Sequence, residues 1–145
     1  MSTQLPSTSR SLPIALIRAR EVVMQPIREM LADTGITEQQ WRVLRVLSEH
    51  GTLDTKTLAN RASLLFPSLT RISTTLRSKG LITQARDDND RRRQFISITD
   101  AGQKIIDDNA AQAARIAEGF RTTLGGEDYE TLLNLLARLD PNEEG

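Results

Sequence analysis

Placed on a helical wheel, Leu69, Ile72 and Leu76 fall on one side, and Pro67, Thr70, Arg71, Thr74 and Ser78 fall opposite, with Ser68 and Arg77 between. An outer face of that kind suits a DNA major groove. Arginine can bond guanine bidentately, and threonine offers a hydroxyl to base or phosphate and a methyl to thymine. Further on, Arg91, Arg92 and Arg93 stand in a row after Asp87, Asp88 and Asp90. A basic turn suits a narrow minor groove, whose negative potential attracts arginine. Asp90 is spaced to pair with Arg92 across that turn, which would stiffen it and leave the other guanidiniums free.

Those side chains need a scaffold, and the surrounding residues spell one. Residues 12–32 carry apolar side chains at spacings of three and four, which predicts a helix, kinked at Pro26 where the ring clashes with the preceding turn. Thr37 with Gln40 reads as a capping box opening a second helix, whose inner face holds Trp41, Leu44 and Leu47. His50-Gly51 ends it, Thr52-Leu53 is an extended link, and Asp54 is a suitable N-cap for a third helix over residues 55–62. Residues 63–66 form a turn. Pro67 fits the first turn of the fourth helix, where its missing N–H costs nothing, and Lys79-Gly80 closes that helix. Residues 81–86 and 94–98 predict two strands around a turn at residues 87–90. Thr99 caps a long fifth helix with a stripe of Ile106, Ala110, Ala113, Ala117, Phe120 and Leu124. Gly125-Gly126 breaks it, and a sixth helix carries Leu132, Leu133, Leu136 and Leu139.

The fold class that follows is mainly α with a small β-hairpin wing: a winged helix-turn-helix of six helices, with a helical dimerisation region drawn from both termini. The 145 residues make one domain. Residues 36–102 form the winged core, residues 11–35 and 103–145 the dimerisation helices, and residues 1–10, rich in Ser, Thr and Pro, a disordered tail.

Composition narrows the chemistry. With no cysteine and a single histidine, His50, the chain offers no disulfide, thiolate zinc site or metal-binding His/Cys cluster. No cofactor is expected. No apolar run approaches the roughly 20 residues of a membrane span and no basic-then-apolar leader is read, so a cytoplasmic protein is expected. The formal net charge is zero, yet residues 66–98 hold seven Lys/Arg against three acids, and residues 99–145 hold four against ten. Positive charge gathers on the proposed reading elements, and the acidic end would orient the molecule on DNA.

Leu53 to Leu58, Ser68-Leu69-Thr70-Arg71, Lys79-Gly80-Leu81, Asp90-Arg91-Arg92 and Ile98-Thr99-Asp100-Ala101-Gly102 resemble the MarR family of dimeric winged-helix transcription regulators. The resemblance covers nearly the whole chain. Ala19-Arg20-Glu21, residues 37–43 and Arg61-Ala62 with residues 67–70 further resemble the branch that represses operons for the breakdown of aromatic acids such as homoprotocatechuate and 4-hydroxyphenylacetate. One departure stands out: Leu65 and Phe66 occupy the place where many members begin this helix with a serine cap. The resemblance implies double-stranded DNA with an inverted repeat as partner, a homodimer, and a small aromatic carboxylate as effector. It also directs attention to Arg20, Trp41, Arg42 and Arg45, since an aromatic acid needs a cation for its carboxylate and a flat apolar wall for its ring. A core tryptophan beside three surface arginines is the other reading of these four.

A winged-helix module that binds protein and not DNA is the alternative function, disfavoured because protein-binding faces place aromatic and apolar anchors where this helix places hydroxyls and arginine. An enzyme is the weakest reading. The histidine lies in no Ser/His/Asp pattern, no glycine loop cradles phosphate, and no carboxylate pair marks a pocket.

Overall fold

The computed structural model describes residues 4–140. Within the segment expected to be disordered, Thr8–Arg10 form one 3-10 turn, while Met1 to Thr3 lie outside the described residues. The Ser11 hydroxyl accepts the Ile14 N–H and so opens α1 (Leu12–Leu31), which runs through Pro26 as one element. Its last turn places Met30 and Leu31 in the core.

The expected capping box is present: the Thr37 hydroxyl accepts from the Gln40 N–H and the Gln40 side chain accepts from the Thr37 N–H. It starts α2 (Glu38–His50), which buries Trp41, Val43, Leu44 and Leu47. The chain then leaves through Gly51, whose φ of 79° lies in the left-handed region that favours glycine.

The extended link at Thr52-Leu53 leads into a short strand, β1 (Leu53–Asp54), and its partner explains it. The wing consists of β2 (Ile82–Arg86) and β3 (Gln94–Ile98), with Ile82 opposite Ile98 and Arg86 opposite Gln94. β1 adds to the free edge of β3, Leu53 against Ile96, giving an antiparallel sheet of order β1-β3-β2. The wing is thereby joined to the entrance of α3 (Thr55–Arg61), which Asp54 caps through the Thr57 N–H.

The core sits where α2, α3 and α4 (Phe66–Ser78) meet the sheet. Leu44, Leu47, Leu58, Leu69, Leu76, Ile82 and Ile96 are its fully buried large side chains. Phe66 belongs to α4 itself and not to the preceding turn, and Pro67 lies in the first turn of the helix, as expected.

Thr99 makes the joint to the second half of the chain. Its N–H donates to the Leu81 carbonyl, its hydroxyl donates to the Gly80 carbonyl at 2.7 Å, and the same hydroxyl accepts the Gly102 N–H that opens α5 (Asp100–Leu124). Gly102 has no substitute there, because a Cβ would stand 2.4 Å from the Leu81 carbonyl oxygen. The core-facing side of α5 includes Ile105 and Ile116, which the predicted stripe lacked, along with Ile106 and Ala113. Ala110, Ala117 and Leu124 of that stripe are exposed. α5 thus has two apolar faces, one on its own core and one open. Gly125, with φ of 87°, makes the break alone, and Gly126 is already the first residue of α6 (Gly126–Leu139). The Arg121 guanidinium braces the corner, 2.5 Å from Glu130 and 4.8 Å from the Tyr129 ring centroid.

Candidate nucleic-acid interface and effector cleft

α4 buries Leu69, Ile72, Ser73 and Leu76 and exposes Pro67, Thr70, Arg71, Thr74, Arg77 and Ser78, with Ser68 half-buried between them. The apolar period therefore sets the outer face as the wheel predicts. Two tethers fix the helix in place. Arg42 of α2 donates to the Ser63 carbonyl at 3.3 Å, at the one non-glycine residue with positive φ among those described, and Lys79 donates to the Gly35 carbonyl at 2.6 Å. The hydroxyls face inward in their bonding: Thr70 donates to the Phe66 carbonyl, Thr74 to that of Thr70, Thr75 to that of Arg71 and Ser78 to that of Thr75. Such back-bonds engage the donor and leave the oxygen lone pairs and the methyl groups available.

The three arginines of the wing take different roles. Arg91 is exposed. Arg92 pairs with Asp90 at 3.3 Å, as its spacing predicts, and Asp90 also accepts the Arg92 backbone N–H at 3.0 Å. The side chain stays 93% exposed, so the pairing shapes the turn without hiding the charge. Arg93 reaches back to Asp54 at 3.2 Å and lies 5.1 Å from the Phe95 ring centroid, with its side chain still 52% exposed. It braces the wing against α3. The Asp54 carboxyl is held below the usual carboxylate range, first by the Thr57 side chain, then by the Thr57 N–H and by Arg93, against an opposing push from burial.

Arg77 likewise has a neighbour the sequence does not announce. It donates to Gln84 at 3.0 Å, and Gln84 in turn donates to Gln94, so the end of α4 is linked to both wing strands. Between helix and wing lies a polar notch of about 410 Å³ lined by Thr70, Ser73, Thr74, Arg77, Arg92 and the two glutamines among others. The buried Ser73 hydroxyl at this notch has no hydrogen-bond partner among the described residues.

The second group of predicted site residues is only partly brought together. Trp41 is 7% exposed and belongs to the core, yet its edge lines a cleft of about 320 Å³ with Met24 and Ile27 of α1 and Arg42, Arg45 and Val46 of α2. The two readings of this tryptophan are thus compatible. Arg20 does not line the cleft. Its guanidinium lies 3.8 Å from the Glu38 carboxylate, and Arg42 approaches the same carboxylate to 3.3 Å. Glu38 itself lines the cleft. It was missed because a glutamate in a first helical turn is read as a favourable partner of the helix dipole and nothing more. Arg45 is exposed at the cleft, whose lining also includes Glu49.

A larger apolar groove of about 870 Å³ runs between α1, α5 and α6, lined by Val22, Val23, Ile116, Phe120, Leu132, Leu133 and Leu136 among others. No residue of α6 is buried in the single chain. Among the described residues no helix is long and apolar enough to cross a membrane.

Comparison with known proteins places these features. The MarR family model matches residues 36–93, from the entrance of α2 to the wing tip. The HTH-type transcriptional regulator FarR of Neisseria gonorrhoeae is 40% identical over 144 residues, 99% of this chain and 97% of that protein. The homoprotocatechuate degradative operon repressor of Escherichia coli is 42% identical over 111 residues, covering 77% of this chain and 73% of the other. The crystal structure of NadR in complex with 4-hydroxyphenylacetate superposes with a TM-score of 0.83 at 40% identity, covering 99% of this chain and 100% of that one.

Proposed function

This chain belongs to the MarR family of transcriptional regulators, and we propose that it binds an inverted-repeat DNA operator as a homodimer and releases it when a small aromatic carboxylate enters the cleft beside Trp41. The observation that carries the DNA half is the exposed face of α4, with Arg71 at its centre, set beside an exposed arginine pair at the wing tip. Arg71 reads a base edge, and Arg91 and Arg92 neutralise backbone phosphate or enter the minor groove. Two copies of α4 then lie about 34–36 Å apart, one helical turn of DNA.

The open apolar groove of α1, α5 and α6 supports the dimer. Leu132, Leu133 and Leu136, left 36–45% exposed in the single chain, gain burial against a second copy, as in obligate interfaces that resemble a core cut in half. Sedimentation of the protein at micromolar concentration tests this, and a monomer would refute it.

For the effector, an acid of the 4-hydroxyphenylacetate or homoprotocatechuate type fits the cleft: Arg45 for the carboxylate, the Trp41 edge with Met24 and Ile27 for the ring, and Glu38 as acceptor for a phenolic hydroxyl. The names of two relatives, one a repressor of homoprotocatechuate degradation and one crystallised with 4-hydroxyphenylacetate, favour that class and an operon for its breakdown. The acid releases DNA only by binding the free geometry more tightly than the DNA-bound one, and linkage then requires DNA to weaken the acid equally. Titration of Trp41 fluorescence with 4-hydroxyphenylacetate, with and without a bound duplex, measures both. An unchanged spectrum across the titration would remove this effector from the proposal.

A further inference from the structure

The outer face of α4 is less polar than its hydroxyls suggest. Thr70 and Thr74 direct their donors to backbone carbonyls of their own helix at 3.1 and 3.0 Å, so each exposed side chain has no donor left to offer and presents a methyl beside its acceptor oxygen. Phe66, Thr70 and Thr74 recur every four residues and line the same notch, which sets one ring and two methyls along a single ridge. Leu65, 78% exposed, directly precedes Phe66, 54% exposed, at the start of the helix, where no side chain caps it. The N-terminal residues of a recognition helix are the ones that reach base edges, and the apolar group displayed on those edges in the major groove is the thymine 5-methyl. We infer that Leu65, Phe66 and Thr70 read thymine methyl groups, so that this end of α4 specifies its half-site by apolar contact and not by hydroxyl hydrogen bonds. The inference rests on the reading above that α4 enters the major groove.

The test starts with duplexes that the wild-type protein selects from a randomised pool. Each selected thymine is replaced in turn by deoxyuridine, which removes the methyl alone. At one or more thymines in each half-site the replacement is expected to weaken binding about fourfold, the effect of one buried methyl. In Phe66→Ala or Leu65→Ala the same replacement is expected to cost nothing further. Thr70 separates the two chemistries: Thr70→Val, which keeps the methyl, is expected to keep the methyl-sensitive thymine, and Thr70→Ser, which keeps the hydroxyl, is expected to lose it together with about fourfold in affinity per half-site. All three positions are exposed, and unchanged melting temperatures confirm folding; should a variant not fold, the deoxyuridine series on the wild type decides alone. If no duplex is selected, the DNA-binding reading falls and this inference with it. If duplexes are selected but none has a methyl-sensitive thymine, or if Thr70→Val loses that sensitivity and Thr70→Ser does not, this inference alone is overturned.

Discussion

Arg93, at the base of the wing turn, lies 3.2 Å from the carboxylate of Asp54, which at the same time accepts the Thr57 N–H and so caps α3. One carboxylate therefore serves two elements far apart in sequence. The pairing of β1 with β3 brings them together, since Asp54 stands opposite Phe95 in the sheet. A change at Asp54 acts on helix and wing together.

Its titration follows from the same contacts. Thr57 first, with Arg93 adding to it, holds the Asp54 carboxyl below its ordinary range. The folded pKa is below the unfolded one. The stabilisation is therefore present above the unfolded value of about 3.9 and is lost as pH falls through the lowered folded value. Asp54→Asn keeps a good cap and removes the charge, so it is expected to cost about 0.5–1 kcal/mol near neutral pH and to flatten the acid limb of the stability curve. Urea unfolding at a series of pH values checks this, and an unaltered acid limb would contradict it.

Arg71→Ala is expected to cost about 1–3 kcal/mol on a selected duplex and to relax preference at one base pair per half-site. Arg91→Ala is expected to weaken selected and random duplexes alike and to lower the slope of affinity against salt by about two, because one phosphate contact is lost from each protomer of the dimer. Anisotropy titrations at several salt concentrations distinguish them. Equal losses on both duplexes for Arg71→Ala would show that it, too, grips only the backbone.

In the effector cleft, Arg45→Ala is expected to raise the acid concentration needed for DNA release about tenfold or more while leaving operator affinity unchanged, as loss of a charge-assisted carboxylate contact requires. Arg20→Ala is expected to act more weakly, through the Glu38 carboxylate it neighbours. A stronger effect at Arg20 than at Arg45 would return the carboxylate to Arg20.

Gly102→Ala tests the joint at Thr99. The new Cβ would fall 2.4 Å from the Leu81 carbonyl oxygen and 2.8 Å from Ile98, both fixed by the sheet and the core. Overpacking of this kind costs about 1–3 kcal/mol. A melting temperature equal to that of the wild type would show that the backbone yields there.

Much of this fold is legible in the chain because its signals are local. The capping box at Thr37, the caps at Asp54 and Thr99 and the apolar period of α4 all act within a few residues, and each is found where it is read. The site was legible to the same depth. The exposed side of α4 follows from period alone, and the Asp90–Arg92 pair follows from adjacency. What sequence could not supply were contacts that tertiary pairing creates. Arg93 reads as one of three equal arginines until β1 carries Asp54 alongside it. Arg77 reads as a free cation until the wing folds back and presents Gln84. Arg20 falls beside Glu38 of the next helix, a matter of how α1 crosses α2, which no spacing within either helix encodes.

The Thr99 joint has a mechanical consequence. Thr99 bonds the Gly80-Leu81 link between α4 and β2 to the first turn of α5, so α5 extends from the winged core as an arm tied at its base. A helix of 25 residues is about 37 Å long. In a dimer that pivots at the far end of that arm, a swing of only about 5° displaces the other end by about 3 Å, close to the 3.4 Å rise of one base step. Small adjustments in how two copies cross would then be enough to put the paired reading helices out of phase with the duplex.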